Sequence, residues 1–277
     1  MLERKYFGKE QSLAYLEYPC TWDYQDSLPD LVIFHGLFGM ADNWHSIAQL
    51  LQEGAKRMSL GLRILVPDLP GHGYSNPSPS YDYQTLAKLL GPFCESRGTV
   101  LALGHSMGGK LALELTAHYS AFLAGILVVD IVPKVYPDWH TPFFDALLGL
   151  DVHNLRSRSQ AGTILADAIP DGAVRSFLLK NLVQNGDSGF SWLCDLRGLS
   201  RDYAKIRGWS GNLPDISLPT AWIIGEESPY VTPADSELIE KVAPGSRLYS
   251  IPGAGHWVHA ENRDGFIQSV WEFLHYI

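Results

Sequence analysis

The chain has 277 residues, 46% of them hydrophobic, and a formal net charge of -9. That length fits one large α/β domain, or such a domain carrying an insertion. The acidic balance and the lack of any Lys/Arg block argue against nucleic acid and anionic membranes as partners, and no apolar run is long enough for stable membrane insertion.

The first residues, Met1 to Phe7, carry no apolar stretch of the kind a secretory signal needs. Cys20, Cys94 and Cys194 are far apart and form no CxxC, which reads as buried thiols in a reducing compartment and a cytoplasmic location. Residues 13–18 alternate weakly and predict an edge strand. Residues 31–34 are continuously apolar and β-branched, the pattern of a strand buried on both faces of a parallel sheet. They run into His35-Gly36-Leu37-Phe38-Gly39. A backbone N–H in such a loop can face developing negative charge. Leu37 is the expected donor there, with Phe38 next. His35 reads as a turn residue bonded to nearby backbone.

Helical spacing follows over 43–54, then a buried strand over 62–66. The breaker-rich loop 67–75 contains His72, expected to serve the loop itself. A helix is predicted over 83–93 and a strand over 99–103. Then comes Gly104-His105-Ser106-Met107-Gly108-Gly109, and a helix over 110–119. Strand, G-x-S-x-G and helix in that order describe a nucleophile elbow, with Ser106 held out from a strained turn. Gly104 and Gly108 are needed because a side chain at either would strike the opposite arm. Met107 would supply a second N–H for the oxyanion.

Residues 126–129 predict another buried strand, with Asp130 at its carboxyl end, where chemistry gathers in open parallel sheets. The β-α rhythm then stops. Residues 133–215 read as an inserted helical cap, with helices over 154–168 and 171–183 broken by Pro170 and by Gly186-Asp187-Ser188-Gly189. Its scattered aromatics would mostly pack, and some would line a pocket. The sheet resumes over 220–224, followed by the loop 225–232, a helix over 233–242 and a last strand over 247–251. His256 lies in the glycine loop after that strand, ahead of a helix over 263–274. His259 is expected to pack or to start that helix.

A serine hydroxyl needs an imidazole to take its proton and a carboxylate to orient the imidazole. Ser106 and His256 fill the first two roles. The chain order nucleophile, acid, histidine is that of α/β-hydrolases. The reaction expected is transfer of an acyl group from an ester to water. No metal-ligand cluster, dinucleotide fingerprint or Walker loop is present, so no cofactor and no metal are called for.

On these residues the chain resembles the α/β-hydrolase superfamily over its whole length, and within it the YbfF-like esterases and their eukaryotic abhydrolase-domain relatives. The resembling stretches are 35–39 with Asp42-Asn43, 104–110, 129–131, 173–182, 228–231 and 253–261. One departure is Pro70-Gly71-His72-Gly73, where those esterases more often carry Arg-Asn-His-Gly. The break in β-α rhythm divides the chain into a core of residues 1–132 and 216–277 and a cap of residues 133–215. The resemblance implies a small carboxylesterase acting on short acyl chains, and by extension on thioesters. Phe38, Ser228, Tyr230 and Trp257 lie in the resembling stretches and are expected at the substrate pocket. The superfamily's usual acid sits in the loop after strand 220–224, which here reads Glu226-Glu227-Ser228-Pro229. The YbfF-like resemblance points instead to Asp130, with Ser228 as a second partner. Two rivals stand beside this reading. One is a lyase of the menaquinone-pathway type on the same three residues, whose elbow tends to carry Tyr-Ser-Leu where this chain has His105-Ser106-Met107. The other is a ligand receptor on the same fold that no longer turns over.

Overall fold

Alternate residues of the central strands face two different cores. In the computed structural model, which describes residues 2–186, 189–209 and 215–277, Val32 and Phe34 enter one core while Leu31 and Ile33 enter the other. Ala102 and Val128 continue the first set, and Leu101, Leu103, Leu127 and Val129 the second. This is the two-residue period of a strand with helices on both faces.

Eight strands form the sheet: β1 (Arg4–Phe7), β2 (Leu13–Tyr18), β3 (Asp30–Phe34), β4 (Ile64–Pro67), β5 (Val100–His105), β6 (Leu123–Val129), β7 (Thr220–Gly225) and β8 (Arg247–Ile251). Their order is β1-β2-β4-β3-β5-β6-β7-β8. The two pairs involving β2 are antiparallel; all others are parallel. Helices α1 (His45–Arg57), α2 (Tyr83–Glu95) and α3 (Met107–Tyr119) follow the first crossovers. Helices α2 and α3 cover one face through Leu86, Leu90, Phe93, Leu111 and Leu115. Helix α1 covers the other through Ile47 and Leu51, beside Phe266, Val270 and Phe273 of the C-terminal helix.

β2 is not the edge expected for it. Arg4–Phe7 adds a further strand, pairing Arg4 with Leu16 and Phe7 with Leu13. Its pattern is too polar to announce a strand; Lys5 pairs with Glu17 at 2.7 Å and Arg4 with buried Asp68 at 2.6 Å. Helix α3 starts at Met107, three residues before the apolar pattern suggests. Gly108 and Gly109 hide that start, yet they are what lets the helix pack against β3, β5 and β6.

Between β6 and β7 lie α4 (Thr141–Leu148), α5 (Arg158–Ile164), α6 (Gly172–Leu178), α7 (Leu196–Arg201) and α8 (Tyr203–Arg207). A hairpin pairs Leu182–Gln184 with Phe190–Trp192, which helical spacing alone did not reveal. Two predicted helices are shorter than expected: caps set their starts, the first ends at Ile164, and the second ends at Leu178 just before the hairpin strand at Leu182. Ser157 accepts from the Gln160 N–H, and Asp171 from those of Ala173 and Val174. Asp187 and Ser188, in the predicted break, lie outside the described residues. The segment is not a separate apolar island: Phe144, Leu178, Leu199 and Ile206 join the same core as Phe38 and Val132. Helices α9 (Ser236–Val242), α10 (Val258–Glu261) and α11 (Arg263–Leu274) complete the chain. Among the described residues no helix is long and apolar enough to cross a membrane. Cys94 and Cys194 are buried, which pushes both thiols up to about 12, but Cys20 is only half-buried.

Register decides where chemistry collects. Phe34 pairs with Gly104, His105 with Val129, Val129 with Ile223, and Gly225 with Ile251. Five parallel strands therefore end at nearly one level. Gly36, Ser106, Asp130, Ser228 and His256 all follow within a few residues of that level.

Candidate active site

Ser106 sits at φ 54°, ψ -118°, between the last residue of β5 and the first of α3. A left-handed φ on a serine is strained backbone. It is held there by the Ser106 N–H, which donates to Val129 O at 2.9 Å, and by close packing of glycines. A Cβ on Gly104 would lie 2.1 Å from Gly108 O, the opposite arm of the turn. A Cβ on Gly108 would meet something else, Phe34 O of β3 at 2.2 Å. The helix start directs its dipole at the serine.

Asp130 is wholly buried, also at a left-handed φ of 52°. Its Oδ2 lies 2.7 Å from His256 Nδ1 and accepts from Ser228 Oγ; its Oδ1 accepts from the Gly225 N–H at 3.1 Å. Burial pushes the carboxyl upward, and the Ser228 and Gly225 hydrogen bonds pull it back. Burial holds the His256 imidazole well below the usual histidine range, so it is neutral at pH 7. With Nδ1–H donating to Asp130, its Nε2 is the free acceptor. The ring of Tyr230 stacks on His256 at 3.5 Å and 11°. Glu226 and Glu227 are exposed, and Glu226 accepts from Ser250 Oγ at 3.2 Å.

His105 is a site residue that the sequence reading passed over. Its Nε2 donates to His256 O at 2.8 Å, which ties the histidine loop to the elbow. The second position of G-x-S-x-G carries no signal of its own, since only the fold brings residue 256 beside it. His259 stacks on Trp44 at 4.2 Å, the packing role expected. His35 Nδ1–H donates to Gly36 O at 2.8 Å, and its Nε2 accepts from the Leu69 N–H at 2.9 Å. It is the turn residue expected. His72 Nδ1 lies 3.1 Å from Pro70 O, within its own loop.

The Gly36 backbone lies against the elbow: a Cβ there would be 3.3 Å from Ser106 Cβ. Phe38 at φ 62° turns the loop back, and its carbonyl accepts from Asn181 Nδ2 at 2.7 Å. A cavity of about 290 Å³ meets Ser106 and is walled by Leu37, Phe38, Tyr230, His256 and Trp257. A second, of about 30 Å³, meets Ser106 from beside Leu37 and Met107. Of the four residues expected at the pocket, Phe38, Tyr230 and Trp257 line the larger cavity. Ser228 lines neither; its hydroxyl is turned to Asp130 because a buried carboxylate must find donors.

Lys110 of α3 is also buried. Its Nζ donates to the carbonyls of Lys134 at 2.9 Å, Arg207 at 3.1 Å and Gly208 at 2.8 Å. Burial pushes its pKa down to about 7. The three carbonyls oppose that shift, because only the ammonium has a proton for each.

The profile of the alpha/beta hydrolase family matches residues 31–269. The chain belongs to that family. It is 32% identical over 256 residues to the sn-1-specific diacylglycerol lipase ABHD11 of Mus musculus, covering 90% of this chain and 81% of that one. It is 31% identical over 247 residues to Esterase YbfF of Escherichia coli strain K12, covering 88% and 92%. Among solved structures it is similar to a marine microorganism esterase, at a TM-score of 0.84 and 29% identity over 99% and 100% of the two chains. This member of the family is a hydrolase acting on ester bonds.

Proposed function

We propose that the chain is a serine carboxylesterase working through an acyl-enzyme on Ser106. The observation that carries this is the 2.7 Å contact of His256 Nδ1 with buried Asp130, the His256 ring itself lining the cavity that also meets Ser106. Ser106 Oγ attacks the ester carbonyl carbon as its proton passes to Nε2 of His256. The C–O bond to the alcohol then breaks, and His256 gives that proton to the departing oxygen. Water, with its proton taken by His256 in turn, releases the acid and restores Ser106. Asp130 keeps the imidazole in the tautomer whose Nε2 is free. The backbone N–H groups of Leu37 and Met107 hold the oxyanion. Both residues line the small cavity together with Ser106, which supports that assignment.

The substrates are small carboxylic esters, and the same chemistry would serve a thioester. Residues 133–215 form the cap, whose Trp139, Phe143, Val174 and Phe177 wall the larger cavity over the serine. The test is a fluorophosphonate probe with peptide mapping, alongside ester turnover by Ser106→Ala. A single label on Ser106 and loss of turnover are expected. A label elsewhere, or normal turnover in Ser106→Ala, overturns the reading. Turnover that depends on Ser106 also separates an enzyme from a receptor.

A further inference from the structure

Two cavities of unequal size meet at Ser106, and only one of them touches His256. The larger, about 290 Å³, has His256 on its wall. The smaller, about 30 Å³, has Ser106, Leu37 and Met107 on its wall but not His256. On the acyl-enzyme reading proposed above, on which this inference rests, the departing alcohol must take its proton from His256. Its oxygen has to lie within hydrogen-bond reach of that ring. The alcohol therefore belongs in the cavity that His256 lines. The carbonyl oxygen faces the N–H groups of Leu37 and Met107, and the acyl chain is left with the other cavity.

We infer that the scissile ester lies across Ser106 with a short acyl group in the small cavity and a larger apolar alcohol in the large one. The small cavity, about 30 Å³ against about 290 Å³, takes the shorter of the two chains. Several of its polar wall groups are engaged elsewhere. Tyr83 OH donates to Ile206 O at 2.6 Å, and Tyr136 OH to Tyr230 O at 3.1 Å. Tyr203 OH pairs with His140 Nδ1 at 2.7 Å, and Arg207 Nη1 donates to Tyr136 O at 2.6 Å. Lys110 has a carbonyl for each of its three protons. A methyl or ethyl group needs no hydrogen-bond partner in that space. The large cavity offers Phe143, Val174, Phe177, Leu178 and Trp257 to the alcohol chain.

Two isomeric esters separate this orientation from its reverse. Hexyl acetate places six carbons on the alcohol side; ethyl hexanoate places six on the acyl side. The unsubstituted protein is expected to favour hexyl acetate in kcat/KM by at least about tenfold, the scale on which a filled pocket rejects extra methylenes. Ile206 lines only the small cavity and Phe143 only the large one. Ile206→Ala is expected to raise ethyl hexanoate relative to hexyl acetate. Phe143→Ala is expected to change the ranking of acetate esters by alcohol length and to leave the acyl ranking in place. A preference for ethyl hexanoate in the unsubstituted protein overturns the orientation, whether or not the variants fold. So does an Ile206→Ala variant whose only change is in alcohol ranking. If turnover survives in Ser106→Ala, the acyl-enzyme reading fails. If Ser106→Ala is inactive and ethyl hexanoate is still preferred, the orientation alone fails.

Discussion

Ser228 donates its hydroxyl to Oδ2 of Asp130, the same oxygen that stands 2.7 Å from Nδ1 of His256. A serine thus fills the place in the loop after β7 where this superfamily usually keeps its acid. The carboxylate reaches the same histidine from the end of β6. This exchange makes the identity of the acid testable.

Asp130→Asn should lower kcat by roughly 10⁴, because the amide no longer holds His256 in the productive tautomer. Glu226→Gln and Glu227→Gln should stay close to the unsubstituted rate, since both side chains are exposed. Steady-state kinetics on one ester decides it. A large loss in either glutamate variant with a normal Asp130→Asn would return the acid to the β7 loop.

Ser228→Ala should weaken the enzyme less, and in a pH-dependent way. Burial holds His256 low and Asp130 high, so the acid limb of kcat/KM belongs to the hydrogen-bonded pair. The Ser228 hydrogen bond favours the ionised form of Asp130. Removing it raises the Asp130 pKa, so the pair takes up a proton at higher pH and the acid limb moves upward. At pH 8 the rate should remain within about tenfold to a hundredfold, the scale of one hydrogen bond to a charged group. A uniform loss at every pH, with the limb unmoved, would mean that Ser228 only packs.

Acid should unfold the protein through its histidines. His35, His72, His105 and His259 are buried, and burial depresses all four. Each stays neutral in the fold and takes a proton once unfolded. The stability each contributes is complete above about pH 6.5 and is lost toward its lower folded pKa, at roughly 1.4 kcal/mol per pH unit. Asp68 and Asp130, both raised by burial, act in the opposite sense but are fewer. Thermal unfolding followed from pH 7 to 5 should therefore show Tm falling. A flat Tm would mean that these rings charge without leaving the fold.

Lys110→Met should cost stability on the order of 3–5 kcal/mol, because it strands three carbonyls on both ends of the segment between β6 and β7. Urea unfolding measures it. A loss below about 1 kcal/mol would show that water replaces the ammonium.

Local patterns carried most of the architecture. The apolar runs at 31–34, 62–66, 126–129 and 220–224 are strands because a strand covered on both faces needs no polar side, and the glycine-serine-glycine turn is legible because Gly104 faces Gly108 within it, although it is Phe34 of β3 that excludes a side chain at Gly108. The polar strand Arg4–Phe7 and the pairing of Leu182–Gln184 with Phe190–Trp192 were not legible, since each is held by a partner rather than by its own period. Asp130, Glu226 and Glu227 are equivalent as residue types at strand ends. The resemblance pointed to Asp130, and the register of β6 against β7 sets it under the Gly225 N–H and beside His256 while both glutamates lie in solvent. The contact of His105 with residue 256 and the two unequal cavities at Ser106 were decided in the same way, by chains 150 residues apart meeting at one end of a sheet. Periodicity reports which face of an element is buried; it contains no information about what another element places against that face.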